Sequence, residues 1–134
     1  MGNDSLTAGG ENDTLIGAAG ADTLHGGTGN DSFIFVRQTD SGATAPTSDL
    51  IVDFVRGEDV IDLAGVDART TNGVPNDAFT FIGTAVFSNV AGQLRYGTAA
   101  GVTTLQMDVN GNGTADTIIR LTGTLTLTAQ DFVL

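Results

Sequence analysis

Cysteine and tryptophan are absent from this chain of 134 residues. The first absence excludes disulfide staples, thiolate metal sites and a cysteine nucleophile. The second, with Tyr96 as the one tyrosine, leaves few aromatic platforms on which a sugar ring would stack. Basic residues are scarce too. Five stand against sixteen acidic ones, for a formal net charge of −11. No basic patch exists to meet phosphates, so nucleic acid is excluded as a partner. An anionic membrane surface is disfavoured by the same sign of charge. No apolar run is long enough to cross a bilayer, so membrane insertion is not expected. Residues 1–30 are polar and glycine-rich, and no N-terminal signal peptide is read there. The single histidine, His25, argues against zinc, which normally takes several His or Cys ligands. There is no HExxH motif, and no G-x-S-x-G elbow with a histidine to serve it. Paired carboxylates abound, as a glycosidase would need, but their spacing gives them a different role.

That spacing is the main positive feature. Asp4, Asp13, Asp22 and Asp31 stand nine residues apart. Two positions after each comes an apolar residue at the same period: Leu6, Leu15, Leu24 and Phe33. Glycines crowd the gaps, at Gly9, Gly10, Gly17, Gly20, Gly26, Gly27 and Gly29. The most complete copy, Gly26 to Ile34, has the form G-G-x-G-x-D-x-U-x, with U a large apolar residue. This is the calcium-binding nonapeptide pattern of RTX proteins.

The physics of such a repeat is simple. Glycine takes positive φ without steric cost, so tight turns form and backbone carbonyls point inward. The aspartate ends each turn with a carboxylate. Calcium is a hard cation that takes six to eight oxygens and accepts carbonyls as well as carboxylates. One turn has too few, so two stacked turns must share an ion. Two nonapeptides make one coil, with Asp4 and Asp22 on one side and Asp13 and Asp31 on the other. The carbonyls near Gly9, Gly17, Gly20, Gly26, Gly27 and Gly29 are the companion ligands. Ala8, Glu11 and Ala18 stand where the pattern wants glycine, and Glu11 fits worst because a non-glycine residue resists positive φ. About two well-formed ions are expected, rather than a long ladder. Asp40 and Asp49 continue the nine-residue phase and are candidates to cap the last site.

The roll of repeats is read over residues 1–36, with the remainder, 37–134, as a second part of one continuous unit. Arg37 to Ser48 reads as loop. Strands are expected over Leu50–Phe54, Val60–Leu63, Phe79–Ile82, Gln93–Tyr96, Thr103–Val109 and Thr117–Leu121. A short helix is expected over Ala64–Arg69. Turns at Gly97–Gly101 and Asn110–Thr114 suggest antiparallel hairpins. Leu125–Leu134 holds a strand and one helical turn. The whole is all-β. At this length one domain with a modest core is expected, and bound metal replaces the missing disulfides.

A second oxygen-rich stretch runs from Asp108 to Asp116. Asp108, Asn110, Asn112 and Asp116 fill positions 1, 3, 5 and 9 of an EF-hand-like loop, with Gly113 at position 6. Position 12 is Ile119, where a bidentate glutamate is wanted, and the flanks read as strands. An Asn-Gly hairpin turn is the first reading, and a weak metal site the second.

The chain resembles the C-terminal domain of serralysin-type secreted metalloproteases, and similar regions of other RTX exoproteins. Beyond the repeats, the resemblance is carried by Ser48 to Phe54, Gly57 to Leu63, Ala78 to Gly83, Ala91 to Tyr96, Asp108 to Asp116, and the closing Asp131-Phe132-Val133-Leu134. It implies a parallel β-roll continued by an antiparallel β-sandwich-like cap, with calcium in the roll turns. It implies export from a Gram-negative bacterium through a type I (ABC) secretion apparatus. The uncleaved signal of that family ends in an acid and three hydrophobic residues, as Asp131, Phe132, Val133 and Leu134 do. The zinc protease motif of the family is not in this chain, so no catalysis is carried over. The chain is expected to be the C-terminal part of a longer secreted enzyme or a small relative of one. The alternative function is an alginate-binding module, since similar RTX modules accompany alginate-modifying enzymes.

Overall fold

The computed structural model describes residues 2–134. Eleven strands make two sheets, and no α-helix is present among the described residues. Each nonapeptide aspartate is followed by a short strand whose apolar residue points inward. These strands are β1 (Ser5–Gly10), β2 (Thr14–Leu15), β3 (Thr23–Thr28) and β4 (Ser32–Ile34). β1 pairs in parallel with β3, Leu6 opposite Leu24. β2 pairs in parallel with β4, Leu15 opposite Phe33. Successive nonapeptides thus alternate between sheets, and a full coil takes two of them.

Two further strands continue the roll as its third rung. β5 (Leu50–Ile51) follows β3, with Ile51 against Leu24. β6 (Val60–Asp62) follows β4, with Ile61 against Phe33. The fourth rung comes from far along the chain. β10 (Thr117–Thr122) lies parallel to β5, Leu121 against Ile51, and β11 (Phe132–Val133) lies parallel to β6, Phe132 against Ile61. Two apolar columns result: Leu6, Leu24, Ile51 and Leu121 in one sheet, and Leu15, Phe33, Ile61 and Phe132 in the other. Both belong to one continuous core, which buries Leu24, Phe33, Ile51, Ile61 and Leu121 almost completely.

The rest is antiparallel apart from one short edge strand. β8 (Gln93–Ala99) and β9 (Val102–Asp108) form a hairpin, and β9 pairs antiparallel with β10. The β8–β9 turn uses Ala100 and Gly101, both at positive φ, and such turns match the twist of their strands. β7 (Thr80–Phe81) closes the edge in parallel with β8. The larger sheet therefore runs β1-β3-β5-β10-β9-β8-β7, and the smaller β11-β6-β4-β2. Phe81 contacts Phe132 at 5.2 Å between ring centroids and ties the cap to the final rung.

The fold is all-β, as the periodicity predicts. The expected helix does not form, and the turn expected over Gly97–Gly101 narrows to Ala100–Gly101 because β8 runs on to Ala99. Ala64–Arg69 forms turns, not a helix. Asp62 Oδ1 takes the Ala64 N–H and Asp67 Oδ1 takes the Arg69 N–H. These side chains offer the backbone a local alternative to helical bonding. Leu125–Leu134 does contain its helical turn, a 3-10 turn at Ala129–Asp131, and its strand, β11.

Candidate metal centre

The parallel register stacks the aspartates into two columns. On one side the Asp4 N–H donates to Asp22 Oδ1 at 2.8 Å, and the Asp22 N–H to Asp49 Oδ1 at 2.8 Å. On the other the Asp13 N–H donates to Asp31 Oδ1 at 2.9 Å, and the Asp31 N–H to Asp59 Oδ1 at 2.9 Å. Each carboxylate thus accepts from the amide of the aspartate one coil earlier. One residue before, the direction reverses: Asn3 and Asn12 receive the N–H groups of Ala21 and Asn30 from the next coil.

One oxygen of each inner carboxylate is used in this way. The other is not. Asp22 Oδ2, Asp31 Oδ2 and Asp49 Oδ2 are buried without a hydrogen-bond partner, and the three residues are 1 %, 1 % and 0 % exposed. A buried anionic oxygen with no partner is costly unless a cation meets it. The glycines make the room. A Cβ on Gly17 would lie 2.6 Å from Asp22 Oδ2, and one on Gly26 would collide with Asp31 Oδ2. Gly27 and Gly29, at positive φ, lie so close to the carbonyls of Gly9 and Glu11 that side chains there would also collide. The Gly17 and Gly26 turns therefore lie directly against the free carboxylate oxygens of Asp22 and Asp31.

That donor set suits a hard divalent cation. Among the described residues no three acidic or imidazole side chains gather into one group. A cation held here would combine single carboxylates with backbone oxygens, as calcium accepts. The broken copies follow the same backbone path. Glu11 and Ala18 both sit at positive φ, 84° and 61°, taking the conformation glycine would have taken.

Electrostatics mark the third rung. Burial raises the Asp49 carboxyl to about 7, with the Asp22 and Asp40 carboxylates pushing the same way against the Asp22 amide and Arg120. Burial also raises Asp59, helped by Asp31 and Asp53 and opposed by amides of Val55 and Asp31. Asp59 differs from the other three, because its second oxygen accepts the Val55 N–H at 2.8 Å.

The remaining candidates lie elsewhere. Asp4 is exposed and Asp13 half-buried, at the first coil. Asp40 is buried outside the two columns and accepts the Val36 and Arg37 N–H groups. In the hairpin, Asp108 accepts from Gly111 at 2.6 Å and Gly113 at 2.8 Å. Asp116 accepts from Val109 and Asn110, Asn110 from Asn112, and Asn112 from Thr114. These acceptors serve their own loop. Asp131 is buried and accepts from Thr128 and Arg56, while Phe132 fills the fourth rung.

Sequence reasoning did not include Asp59 or Asp53. Asp59 was signalled: Asp49-Leu50-Ile51 and Asp59-Val60-Ile61 keep the acid-x-apolar register of Asp22-Thr23-Leu24 and Asp31-Ser32-Phe33. Asp53 had no such signal. Its carboxylate receives the N–H groups of Gly26 and Gly27 and lies 2.8 Å from His25 Nδ1, bracing the turn beside Asp31.

Comparison with known proteins agrees with this geometry. The family model described as Peptidase M10 serralysin C terminal matches residues 1–134. Metalloprotease AprA of Pseudomonas entomophila (strain L48) is 37% identical over 99 residues, which cover 72% of this chain and 19% of that protein. The chain thus spans about a fifth of the length of this relative. Among solved structures, the AlgE6R2 subunit of the Azotobacter vinelandii mannuronan C5-epimerase superposes with a TM-score of 0.67 at 27% identity, covering 98% of this chain and 76% of that one. The AlgE6R3 subunit of the same enzyme superposes at 0.61 and 23% identity, over 98% and 78% of the two chains, and shares the fold.

Proposed function

The chain belongs to the Peptidase M10 serralysin C-terminal family, and from that premise we propose that it is a calcium-binding RTX module that folds on binding the ion. Asp22, Asp31 and Asp49 are its main carboxylate ligands, with carbonyls of the glycine turns completing each shell. Asp4 and Asp13 serve the first coil. The observation that carries this reading is the set of buried, unpartnered Oδ2 atoms of Asp22, Asp31 and Asp49, the first two lying against Gly17 and Gly26.

The mechanism follows from charge. Bound calcium supplies positive charge and a demand for six to eight oxygens. Without it, stacked carboxylates repel and the net charge of −11 opposes compaction. An ion that binds only the folded roll stabilises it by mass action. Where calcium is scarce the chain stays open, and outside the cell it closes. This suits passage through a narrow type I (ABC) secretion apparatus, with Asp131, Phe132, Val133 and Leu134 as the signal, and an extracellular destination. The parent is a secreted enzyme, either a zinc metallopeptidase or an alginate-modifying one.

Circular dichroism during calcium titration tests the reading. The chelated chain is expected to lack most β-structure and to gain it cooperatively as calcium is added. Complete β-structure in chelator, unchanged by calcium, would reject it.

A second reading is a polysaccharide-holding module of a carbohydrate-modifying parent. The likeness to a mannuronan C5-epimerase subunit over 98% of this chain favours it.

A further inference from the structure

The chain's charge is unevenly distributed. The seven strands of the larger sheet contain one acidic residue, Asp108, and it is fully buried. The outward side of that sheet instead presents Arg95, Gln106, Thr104 and Arg120. Their registers place them together: Arg95 opposite Gln106 and Gly97 opposite Thr104 across β8–β9, then Thr104 opposite Arg120 across β9–β10. Two of the five basic residues of a strongly acidic chain therefore share one face.

Arg95 is held ready. Its Nε donates to the Ala85 carbonyl at 2.7 Å, one terminal nitrogen to Gln106 Oε1 at 2.5 Å, and the other to the Thr84 carbonyl at 3.3 Å. The guanidinium lies over the Phe87 ring, 5.7 Å from its centroid. A guanidinium has five N–H donors, so two remain. Beside it a shallow cleft is lined by Arg95, Gly97, Thr98, Ala99, Thr104 and Gln106. Gly97 leaves the floor of this cleft bare, for a Cβ there would meet nothing within 4 Å. Arg120 stands outside the lining, on the next strand opposite Thr104, and is anchored through Ser48.

We propose that this cleft holds an extended chain of carboxylated sugars. The proposal rests on the second reading above and gives it a location. Arg95 offers a planar fork to a sugar carboxylate. Thr98, Thr104 and Gln106 offer hydroxyl and amide partners to ring hydroxyls. The bare floor at Gly97 accepts a ring where aromatic platforms are lacking. Elsewhere the acidic surface repels a polyanion, so electrostatics direct it to this face. An acidic peptide fits less well, because β8, β9 and β10 already pair with each other and leave no free edge for strand addition.

The test is calorimetric titration of a mannuronate hexamer into the calcium-loaded full chain at fixed calcium. Saturable binding is expected, weakened at least tenfold by Arg95→Gln and by Gly97→Val. The Cβ that Gly97→Val adds enters open space, so this variant reports on the site even if Arg95→Gln loosens the 84–87 loop. Arg37→Gln, on an exposed loop off this face, should bind as the parent chain does. Unchanged binding in both cleft variants would overturn this location and leave the polysaccharide reading standing. No saturable binding to the parent chain would overturn both. Polyglutamate binding as tightly as the hexamer would mark general anion attraction and overturn the proposal.

Discussion

Asp31 does two jobs with two oxygens. Oδ1 receives the Asp13 amide and sets the coil register, while Oδ2 is buried and free. Asp31→Asn separates them, since the amide keeps an acceptor and loses the anion. Calcium affinity should fall at least tenfold, or ~1.4 kcal/mol, while the roll still forms at saturating calcium. Calorimetry measures this, and unchanged affinity would remove Asp31 from the ligand set. Glu11 tests the backbone. It sits at φ 84°, where a side chain costs about 1 kcal/mol. Glu11→Gly should raise the melting temperature of the calcium-loaded form, and a lowered one would show that the side chain stabilises the turn. Asp49 sets a pH dependence. Its carboxyl is raised to about 7 in the folded, metal-free chain, against 3.8 ordinarily. Between those values the folded chain keeps a proton that the unfolded chain has released. Raising the pH through this window therefore destabilises the metal-free fold, and the loss is complete above about 7. The chain in chelator should therefore hold more residual β-structure at pH 5 than at pH 8. Circular dichroism reads the difference, and equal spectra at the two pH values would exclude Asp49 as its source.

The fourth rung decides how the roll ends. β11 brings Phe132 against Ile61, and β10 brings Leu121 against Ile51. Phe132 is buried and touches Phe81. Phe132→Ala should cost about 3–5 kcal/mol in denaturant unfolding of the calcium-loaded chain. A loss below ~1 kcal/mol would show that the segment merely rests on the roll. Sequence legibility divides along these elements. β1 to β4 were readable because period nine fixes turn, acid and inward residue together. β5 and β6 were readable as strands, yet as members of the ladder only through the acids two residues before Ile51 and Ile61. The fourth rung was not readable, because apolar alternation identifies a strand and says nothing of a neighbour seventy positions away. The turns over Ala64–Arg69 were misread because Asp62 and Asp67 capture amides that a helix needs. At the candidate metal centre, spacing picked out Asp22 and Asp31, whose buried second oxygens lack a partner. It set Asp40 and Asp49 on equal terms, though the inserted loop of residues 37–48 puts only Asp49 in the column.

Taken as one body, the molecule is an acidic solenoid with five basic residues against sixteen acidic ones. In chelator the chain should expand from a radius of gyration of about 14 Å toward about 38 Å, the values for folded and unfolded chains of this length. Small-angle scattering with and without calcium checks this, and a radius near 14 Å in both would refute ion-driven closure. The closing rung has a kinetic corollary. Ile51 cannot meet Leu121 until the intervening loop has been cyclised, and that entropy is lost before any reward arrives. Once that contact exists, every earlier coil has a finished template on its downstream side and an open one upstream. Assembly should then run as a zipper, from the last residues back toward the first, so the β10–β11 end sets the rate and the β1–β2 end merely follows.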